Sequence, residues 1–224
     1  MGLFKLNIAL ILSFFALNSL QDNTLDSTQK PIHLVFIRHA EKKPNEPKNL
    51  SERGRLRAEL IKRLFLNKIN THGCLAEFLN NNKIDGLYAH RPTQDKPTYR
   101  TLETILPLAY DLNKDVNIQW EKKDIVKQAE SIISQPNNSG KTFLIASSHG
   151  KPLTALAKHL GLFDVVDKWD VSRFDMIWIV VIKNNKATLI SLPQQLMPED
   201  IPYFMVEKKE DLNLVCPNYA ANLN

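Results

Sequence analysis

Two histidines stand at matching places in the sequence, each shortly after a run of apolar residues. Arg38-His39 follows the first run directly, and His149 follows the second run after two serines. A neutral imidazole can attack phosphorus while cationic side chains hold the charged oxygens of a phosphoryl group. Arginine suits the second task because its fixed fork of N–H donors matches two phosphate oxygens at once. These residue types indicate phosphoryl transfer, provided that the two runs are neighbouring strands.

The segments that must position these histidines alternate between short apolar runs and longer amphipathic stretches. Near-continuous apolar character is typical of strands that are covered on both faces. Three runs are predicted to be strands: 33–37, 86–89 and 142–146. Four helices are predicted: one that begins after Ser51, and others over 98–112, 124–133 and 152–160. In the first helix an apolar stripe is predicted to face the core: Leu56, Leu60, Ile61, Leu64 and Phe65.

The end of the chain predicts an antiparallel hairpin, because apolar runs at 176–182 and 187–192 flank a Lys-Asn-Asn-Lys turn. The preceding alternation of strands and helices predicts a parallel-rich sheet with helices on both faces. The predicted fold is therefore α/β, a three-layer α/β/α sandwich with a mostly parallel mixed sheet. Ligands bind such sheets beyond the carboxyl ends of the strands, which is where His39 and His149 stand.

The chain resembles the histidine phosphatase superfamily, also called the phosphoglycerate-mutase-like fold, over nearly all residues after position 19. Three ordered blocks carry the resemblance: LVFIRHAE at 34–41 with the helix sequence at 50–58, LYA at 87–89 with RTLET at 100–104, and LIASSHG at 144–150. The resemblance implies that His39 becomes phosphorylated and that Arg38 and Arg100 bind phosphate. It assigns His149 as the second active-site histidine, which also contacts the phosphoryl group.

Two residues, Arg100 and Arg91, are candidates for the second phosphate-binding arginine. Arg91 lies in a loop between Ala89 and Arg100 that is longer than the family's usual connection. Arg100 is preferred because Thr104 and the apolar positions after it continue a helix, whereas Arg91 precedes a proline in turn-like sequence. The alternative role for Arg91 is that of a solvated loop charge.

The sequence leaves the identity of the general acid open. Glu121 follows the strand-like residues 117–120, at a place where many relatives provide a glutamate, with Asp124 and Glu41 as competitors. Gly150 excludes the other arrangement in the family, an aspartate directly after the second histidine. Asp124 could also simply cap a helix, and the site could lack an acid altogether.

The resulting expectation is a phosphatase that hydrolyses phosphomonoesters or related groups through a phosphohistidine. Its substrate would be a phosphorylated small molecule or a phosphorylated side chain. Because two arginines and two histidines can supply the charge stabilisation, no cofactor is required. Two alternatives remain: a phosphomutase, and a phosphate- or ligand-binding member of the fold without turnover. The sequence leaves the oligomeric state open.

Composition narrows the class of protein. At 224 residues and 43% hydrophobic content, the chain suits one domain, placed at 20–224. The formal charge is +5, but lysines and arginines are scattered among acids, so no nucleic-acid footprint is evident. Cys74 and Cys216 lack the spacing of a zinc or CxxC site. They could form a disulfide or be two unrelated buried thiols.

The first residues have the pattern of a secretory signal peptide, placed at 1–19. Lys5 precedes an apolar run over 8–17, and Ser19 offers a small residue at the cleavage point. The run is too short for a bilayer, which takes roughly 20 residues in a helix, so no stable membrane anchor is expected. The sequence therefore predicts an exported protein, periplasmic or secreted, in which a disulfide could persist.

Overall fold

The structure is a computed structural model that describes residues 29–95, 97–148, 150–162, 172–200 and 209–222. The predicted signal peptide at 1–19 and His149 lie outside these ranges. Within them, no helix has both the length and the apolar character that crossing a bilayer would require.

A mixed sheet of six strands forms the centre of the described part of the chain. The strands are β1 (Ile32–Arg38), β2 (Ile84–Ala89), β3 (Val116–Asn117), β4 (Thr142–Ser147), β5 (Met176–Lys183) and β6 (Lys186–Pro193). Their order is β3-β2-β4-β1-β5-β6, with β1 to β4 mutually parallel and β5 and β6 antiparallel. Every residue of β1 is buried, as expected of a central strand covered on both faces.

Helices pack on both faces of this sheet. They are α1 (Glu52–Phe65), α2 (Gly73–Asn81), α3 (Arg100–Leu112), α4 (Ile125–Ile133), α5 (Lys151–His159), α6 (Lys209–Leu212) and α7 (Pro217–Ala221). Val35 and Ile37 of β1 pack in the core with α1, α2 and α3, together with α6 and α7. Leu34 and Phe36 pack in the opposite core with α4 and α5. The predicted three-layer α/β/α fold is confirmed.

The predicted hairpin is also confirmed. β5 and β6 pair in register from Met176 with Pro193 to Lys183 with Lys186. Asn184 and Asn185 form the two-residue turn with φ of 50° and 59°, a left-handed conformation that asparagine adopts more readily than most residues. The antiparallel pair therefore closes one edge of an otherwise parallel sheet.

Two local predictions need correction, and one helix was not predicted. Leu56 is not in the core: 53% of its surface is exposed, and the inward position next to it is taken by Arg57. The strand-like residues 117–120 contribute only Asn117 to a strand, because β3 is confined to Val116–Asn117. Helix α2 was not predicted, and its first residue, Gly73, has φ of 65°.

A disulfide joins Cys74 of α2 to Cys216, the residue that precedes α7. Glu77 reinforces the connection, because its carboxylate accepts the N–H groups of Asn218 and Tyr219 at 2.9 and 2.7 Å. Those donors lie in the first turn of α7, where backbone N–H groups have no partner within the helix. The disulfide alternative for the two cysteines is therefore the one that the structure shows, and it fixes the C-terminal segment to α2.

We expect that replacing both cysteines, Cys74→Ser with Cys216→Ser, will lower the free energy of unfolding by about 2–4 kcal/mol, because the bond restricts the unfolded chain. Urea unfolding with and without reductant measures the effect. Reductant should destabilise the parent and leave the double variant unchanged. Mass analysis of the non-reduced parent is the second check, and two freely alkylated thiols there would contradict the bond.

Candidate active site

Parallel strands deliver polar residues to one edge of the sheet. β1 and β4 are neighbours, and their pairing sets Arg38 opposite Ser147. The backbone N–H of His39 then donates to the carbonyl oxygen of Ser147 at 2.9 Å. β2 lies on the other side of β4 and ends at the same edge, where His90 follows it. The two apolar runs that precede the histidines are thus adjacent strands, as a shared site requires.

A hydrogen bond selects one tautomer of the neutral His39 ring. The side chain is only 3% exposed, and its Nδ1 lies 2.8 Å from the carbonyl oxygen of Ala40. A carbonyl oxygen only accepts hydrogen bonds, so Nδ1 must carry the proton. In the neutral ring the lone pair is then on Nε2. This is the tautomer that a nucleophilic histidine needs.

Two helices fix the loop that carries His39. The N–H of Ala40 donates to Oγ1 of Thr104 in α3 at 2.9 Å. On the other side, the N–H of Ser51 donates to the carbonyl oxygen of Glu41 at 2.9 Å, and Ser51 caps α1 through its side chain. Gly54 is required at the contact, because a Cβ there would collide with the Glu41 carbonyl. The backbone around the candidate nucleophile is therefore pre-positioned.

Arg38 is buried and held by the segment before β5. Its Nη1 donates to the carbonyl oxygen of Arg173 at 3.0 Å, and its guanidinium carbon lies 3.7 Å from the centre of the Phe174 ring. The same ring lies 6.0 Å from the ring of His39. Sequence reasoning gave Phe174 no part in the site. Its contact with both residues comes from β5 pairing with β1, which nothing in the local sequence indicates.

Arg100 and Arg91, the two candidates for the second arginine, have different surroundings. Arg100 begins α3, is half-buried, and donates from Nε to Oγ1 of Thr98 at 3.0 Å. Burial lowers its pKa, and no carboxylate of the described residues forms an ion pair with it. Arg91 is exposed and pairs with Glu121 at 3.0 Å. An arginine without a carboxylate partner is the better candidate for binding phosphate, which favours Arg100.

His90 is a third histidine at this edge, and the sequence offered no partner for it. It is 3% exposed, and its Nε2 accepts the backbone N–H of Ser148 at 3.3 Å and lies 3.2 Å from Oγ of Ser147. Burial, together with the positive charge of Lys122, lowers the pKa of His90 to about 4. His90 is therefore neutral at physiological pH, and it supports the backbone directly before His149.

Neither Glu121 nor Glu41 is arranged to keep a proton at neutral pH, because ion pairs lower the pKa of both. Hydrogen bonds from Arg91 and Lys123, at 3.0 and 3.1 Å, lower the pKa of Glu121. A general acid at neutral pH needs a raised pKa instead. Glu41 is ion-paired as described below, and Asp124 lies 3.7 Å from Lys127. The role of Glu121 as the general acid stays a prediction, and its ion pairs with Arg91 and Lys123 argue against that role.

Arg57 holds a buried ion network behind the His39 loop. Its guanidinium binds Glu41 through Nε and Nη2 at 2.9 and 2.8 Å, and Asp200 through Nη1 and Nη2 at 2.9 and 2.7 Å. Burial alone would raise the pKa of each carboxyl, but the hydrogen bonds and charge of Arg57 outweigh it and lower both. Arg57 therefore fixes Glu41, two residues after His39, to α1 and to the turn that ends at Asp200.

We expect that Arg57→Met will lower the free energy of unfolding by about 3–5 kcal/mol at neutral pH, because it leaves the buried carboxylate of Asp200 without the cation that pairs with it and that of Glu41 with the longer contact to Arg53 at 3.3 Å. Urea unfolding measures it. Arg63→Met, an exposed position on the same helix, is the matched control and should stay within about 0.5 kcal/mol of the parent.

The pH dependence gives a further check on this network. A carboxyl whose pKa is lowered by folding stabilises the fold above its ordinary pKa, and that contribution is lost as the pH falls through the lowered value. The difference in free energy of unfolding between the parent and Arg57→Met should therefore become smaller as the pH falls. A difference that stays constant from neutral to acidic pH would contradict the assignment.

The described residues contain no cluster of three or more His, Cys, Asp or Glu side chains that could hold a metal ion. The surroundings of His39 are instead cationic and aromatic, with Arg38 next to it in the chain and the Phe174 ring 6.0 Å from its own. This arrangement can attack an electrophile at His39 and stabilise negative charge beside it.

No protein-family model and no curated protein matches the sequence. Solved structures do match. A phosphoglycerate mutase from Plasmodium falciparum is 16% identical, with a TM-score of 0.49 over 78% of this chain and 99% of the other. The α-ribazole phosphatase of Shigella flexneri is 17% identical, with a TM-score of 0.46 over 72% and 96%. A phosphoserine phosphatase from Entamoeba histolytica is 16% identical, with a TM-score of 0.47 over 72% and 96%.

At these identities the similarity concerns the overall fold. The first of these is a mutase and the other two are phosphatases.

Proposed function

We propose that the protein is a phosphatase that hydrolyses phosphomonoesters, or related phosphorylated groups, through a phosphohistidine at His39. The observation that carries the proposal is the 2.8 Å contact between Nδ1 of His39 and the Ala40 carbonyl oxygen. It leaves the lone pair on Nε2, at the carboxyl end of a central strand and next to Arg38. In its neutral form, a buried imidazole with this tautomer beside a cation has the chemistry of a phosphoryl acceptor.

The reaction has two steps. Nε2 of His39 first bonds to phosphorus while the phosphorus–oxygen bond to the leaving group breaks, and the leaving oxygen takes the bonding electrons. Water then attacks phosphorus and releases a proton, and the phosphorus–nitrogen bond breaks and returns the electron pair to Nε2. The leaving oxygen takes up a proton in place of the one that the water releases, so the products are inorganic phosphate and the free alcohol. Arg38, Arg100 and His149 are proposed to hold the phosphoryl oxygens in both steps.

Export is part of the proposal. The signal-peptide pattern at 1–19 motivates it, and the disulfide between Cys74 and Cys216 supports it, because disulfides persist in oxidising compartments. Export disfavours the mutase alternative, since phosphorylated sugar intermediates are cytoplasmic. Mass analysis of the protein recovered outside the cytoplasm tests it: a mature chain that begins near residue 20 is the expected result, and an intact N-terminus would contradict it.

The test of the activity is incubation of the purified protein with a labelled aryl phosphate. We expect release of inorganic phosphate and, after rapid acid-free quenching, a protein adduct that is stable in base and labile in acid, as phosphohistidine is. Isomerisation of a phosphosugar without release of phosphate would indicate a mutase instead. Binding of the aryl phosphate without turnover would indicate a ligand-binding member of the fold.

A further inference from the structure

A cavity of about 420 Å³ opens between the loops at the carboxyl edge of the sheet. Its lining residues come from the loops after β2 and β3 and from the start of α5: Thr93, Glu121, Lys122, Lys123, Lys151 and Pro152. These are the loops that also contain His90 and lead to His149. The volume lies in the range of small-molecule sites, and two of the lining segments follow β2 and β4, which end at the same edge of the sheet as β1.

The cavity has more positive charge than its own residues neutralise. Its carboxylate, Glu121, is already paired with Arg91 and with Lys123. Within the described part of the chain, neither Lys122 nor Lys151 forms an ion pair with a carboxylate. Two lysines of the lining therefore have no anionic partner from the described residues.

Lys122 lines this cavity and is near enough to Arg100 and His90 for its charge to act on both. Burial and the positive charge of Arg100 lower the pKa of the Lys122 ammonium, and the charge of Lys122 in turn acts on His90. Holding several cations this close together is unfavourable unless an anion binds among them. The start of α5, at Lys151, adds the positive end of a helix dipole to the same region.

We propose that this cavity binds a second anionic group of the substrate, so that the preferred substrates are phosphomonoesters that also carry a carboxylate or a second phosphate. The inference rests on the proposed phosphatase function. The phosphoryl group to be transferred binds at Arg38 and Arg100, and the second anion binds at Lys122 and Lys151. Charge-assisted hydrogen bonds to the two ammonium groups provide the selectivity.

Aryl phosphates with one scaffold test the inference. The substrates are 4-(carboxymethyl)phenyl phosphate, its uncharged analogue 4-(carbamoylmethyl)phenyl phosphate, and 4-(phosphonomethyl)phenyl phosphate. The first two have nearly the same size and leaving group, so they differ in charge. We expect kcat/KM to be about tenfold higher for the charged esters than for the amide. Comparison of the carboxylate with the phosphonate then identifies which anion the cavity prefers.

Three lysine variants locate the effect. Lys122→Met and Lys151→Met should each reduce the ratio of kcat/KM for charged over uncharged ester. Lys127→Met removes an exposed lysine outside the cavity that pairs with Asp124, and it should leave the ratio unchanged. Equal kcat/KM for charged and uncharged esters in the parent would overturn the inference. So would a preference that survives both Lys122→Met and Lys151→Met.

Binding measurements separate this inference from the proposed activity. If none of the esters is hydrolysed, the phosphatase function fails, but the cavity can still be tested with non-hydrolysable phosphonate analogues of the first two esters. Calorimetry should then show about tenfold tighter binding of the carboxylate than of the amide, with the difference lost in Lys122→Met. Equal affinities would overturn the inference on their own.

Discussion

His39→Ala is expected to eliminate the phosphoenzyme and to lower kcat for aryl phosphates by at least about 10³-fold, because it removes the proposed nucleophile. No other histidine of the described edge can replace it. His90 is neutral, but its Nε2 already accepts the N–H of Ser148. Trapping with labelled substrate measures the adduct, and steady-state kinetics measure the turnover.

Two controls keep this result interpretable. His72→Ala, at an exposed position before α2, should trap label as the parent does. The unfolding midpoint of His39→Ala in urea shows whether the fold survives, and free imidazole should restore part of the turnover in a folded His39→Gly variant. Labelling of His39→Ala at the level of the parent would contradict the assignment of His39 as the nucleophile.

Turnover is expected to depend strongly on the leaving group, with aryl phosphates and phosphoramidates preferred to alkyl phosphates. The reason is that Arg91 and Lys123 lower the pKa of Glu121, so its carboxyl is ionised and has no proton to give at neutral pH. A positioned general acid contributes ~10²–10⁴-fold, and alkyl esters should lack that contribution. An aryl oxide or a phosphohistidine imidazole needs less of such help.

The measurement is kcat/KM for esters of graded alcohol pKa, under conditions where phosphoryl transfer to His39 limits the rate. We expect a steep dependence in the parent and the same slope in Glu121→Gln. Lys123→Met removes one of the two partners of Glu121 and serves as the comparison that changes local charge without removing the carboxylate. A flat dependence in the parent that becomes steep in Glu121→Gln would show instead that Glu121 is the acid.

The parts of the fold that the sequence predicts are those with local signals. β1 and β4 are continuous apolar runs, Ser51 caps α1, and the Asn184-Asn185 pair supplies the turn of the hairpin. Each signal involves residues close together in the chain, and each has one favourable structural outcome. Helix α2 has no such signal, because His72 makes no capping bond and the helix is tied down by Cys216.

Arg57 shows why a periodic pattern can select the wrong side chain for the core. The apolar stripe of α1 predicts Leu56 inside, yet the buried position belongs to an arginine whose charge is neutralised by Glu41 and Asp200. Asp200 is 143 residues away in the sequence, so the compensation is invisible to any local pattern. A buried charge is tolerated when its partners are buried with it.

The candidate site also has parts that local sequence signals predict and parts that depend on residues far apart in the chain. His39, Arg38 and Arg100 stand next to element ends that the sequence marks, and their neighbourhood could be predicted. The ring of Phe174 beside Arg38, and the pairing of Arg91 with Glu121 across two loops, depend on tertiary contacts. These contacts decide how Arg38 is held and in which direction the pKa of Glu121 shifts.

The position of β1 in the sheet sets the order in which the chain can assemble. β1 is the first strand to be synthesised, yet its partners are β4 and β5, and His33 pairs with Thr142 across a separation of 109 residues. During translation this fully buried strand therefore stays unpaired at both edges until more than half of the remaining chain has followed it. Such non-local pairing slows folding and leaves an apolar, aggregation-prone segment exposed to other chains. In a nascent chain of this protein, β1 should accordingly need protection from aggregation for longer than any later strand of the sheet.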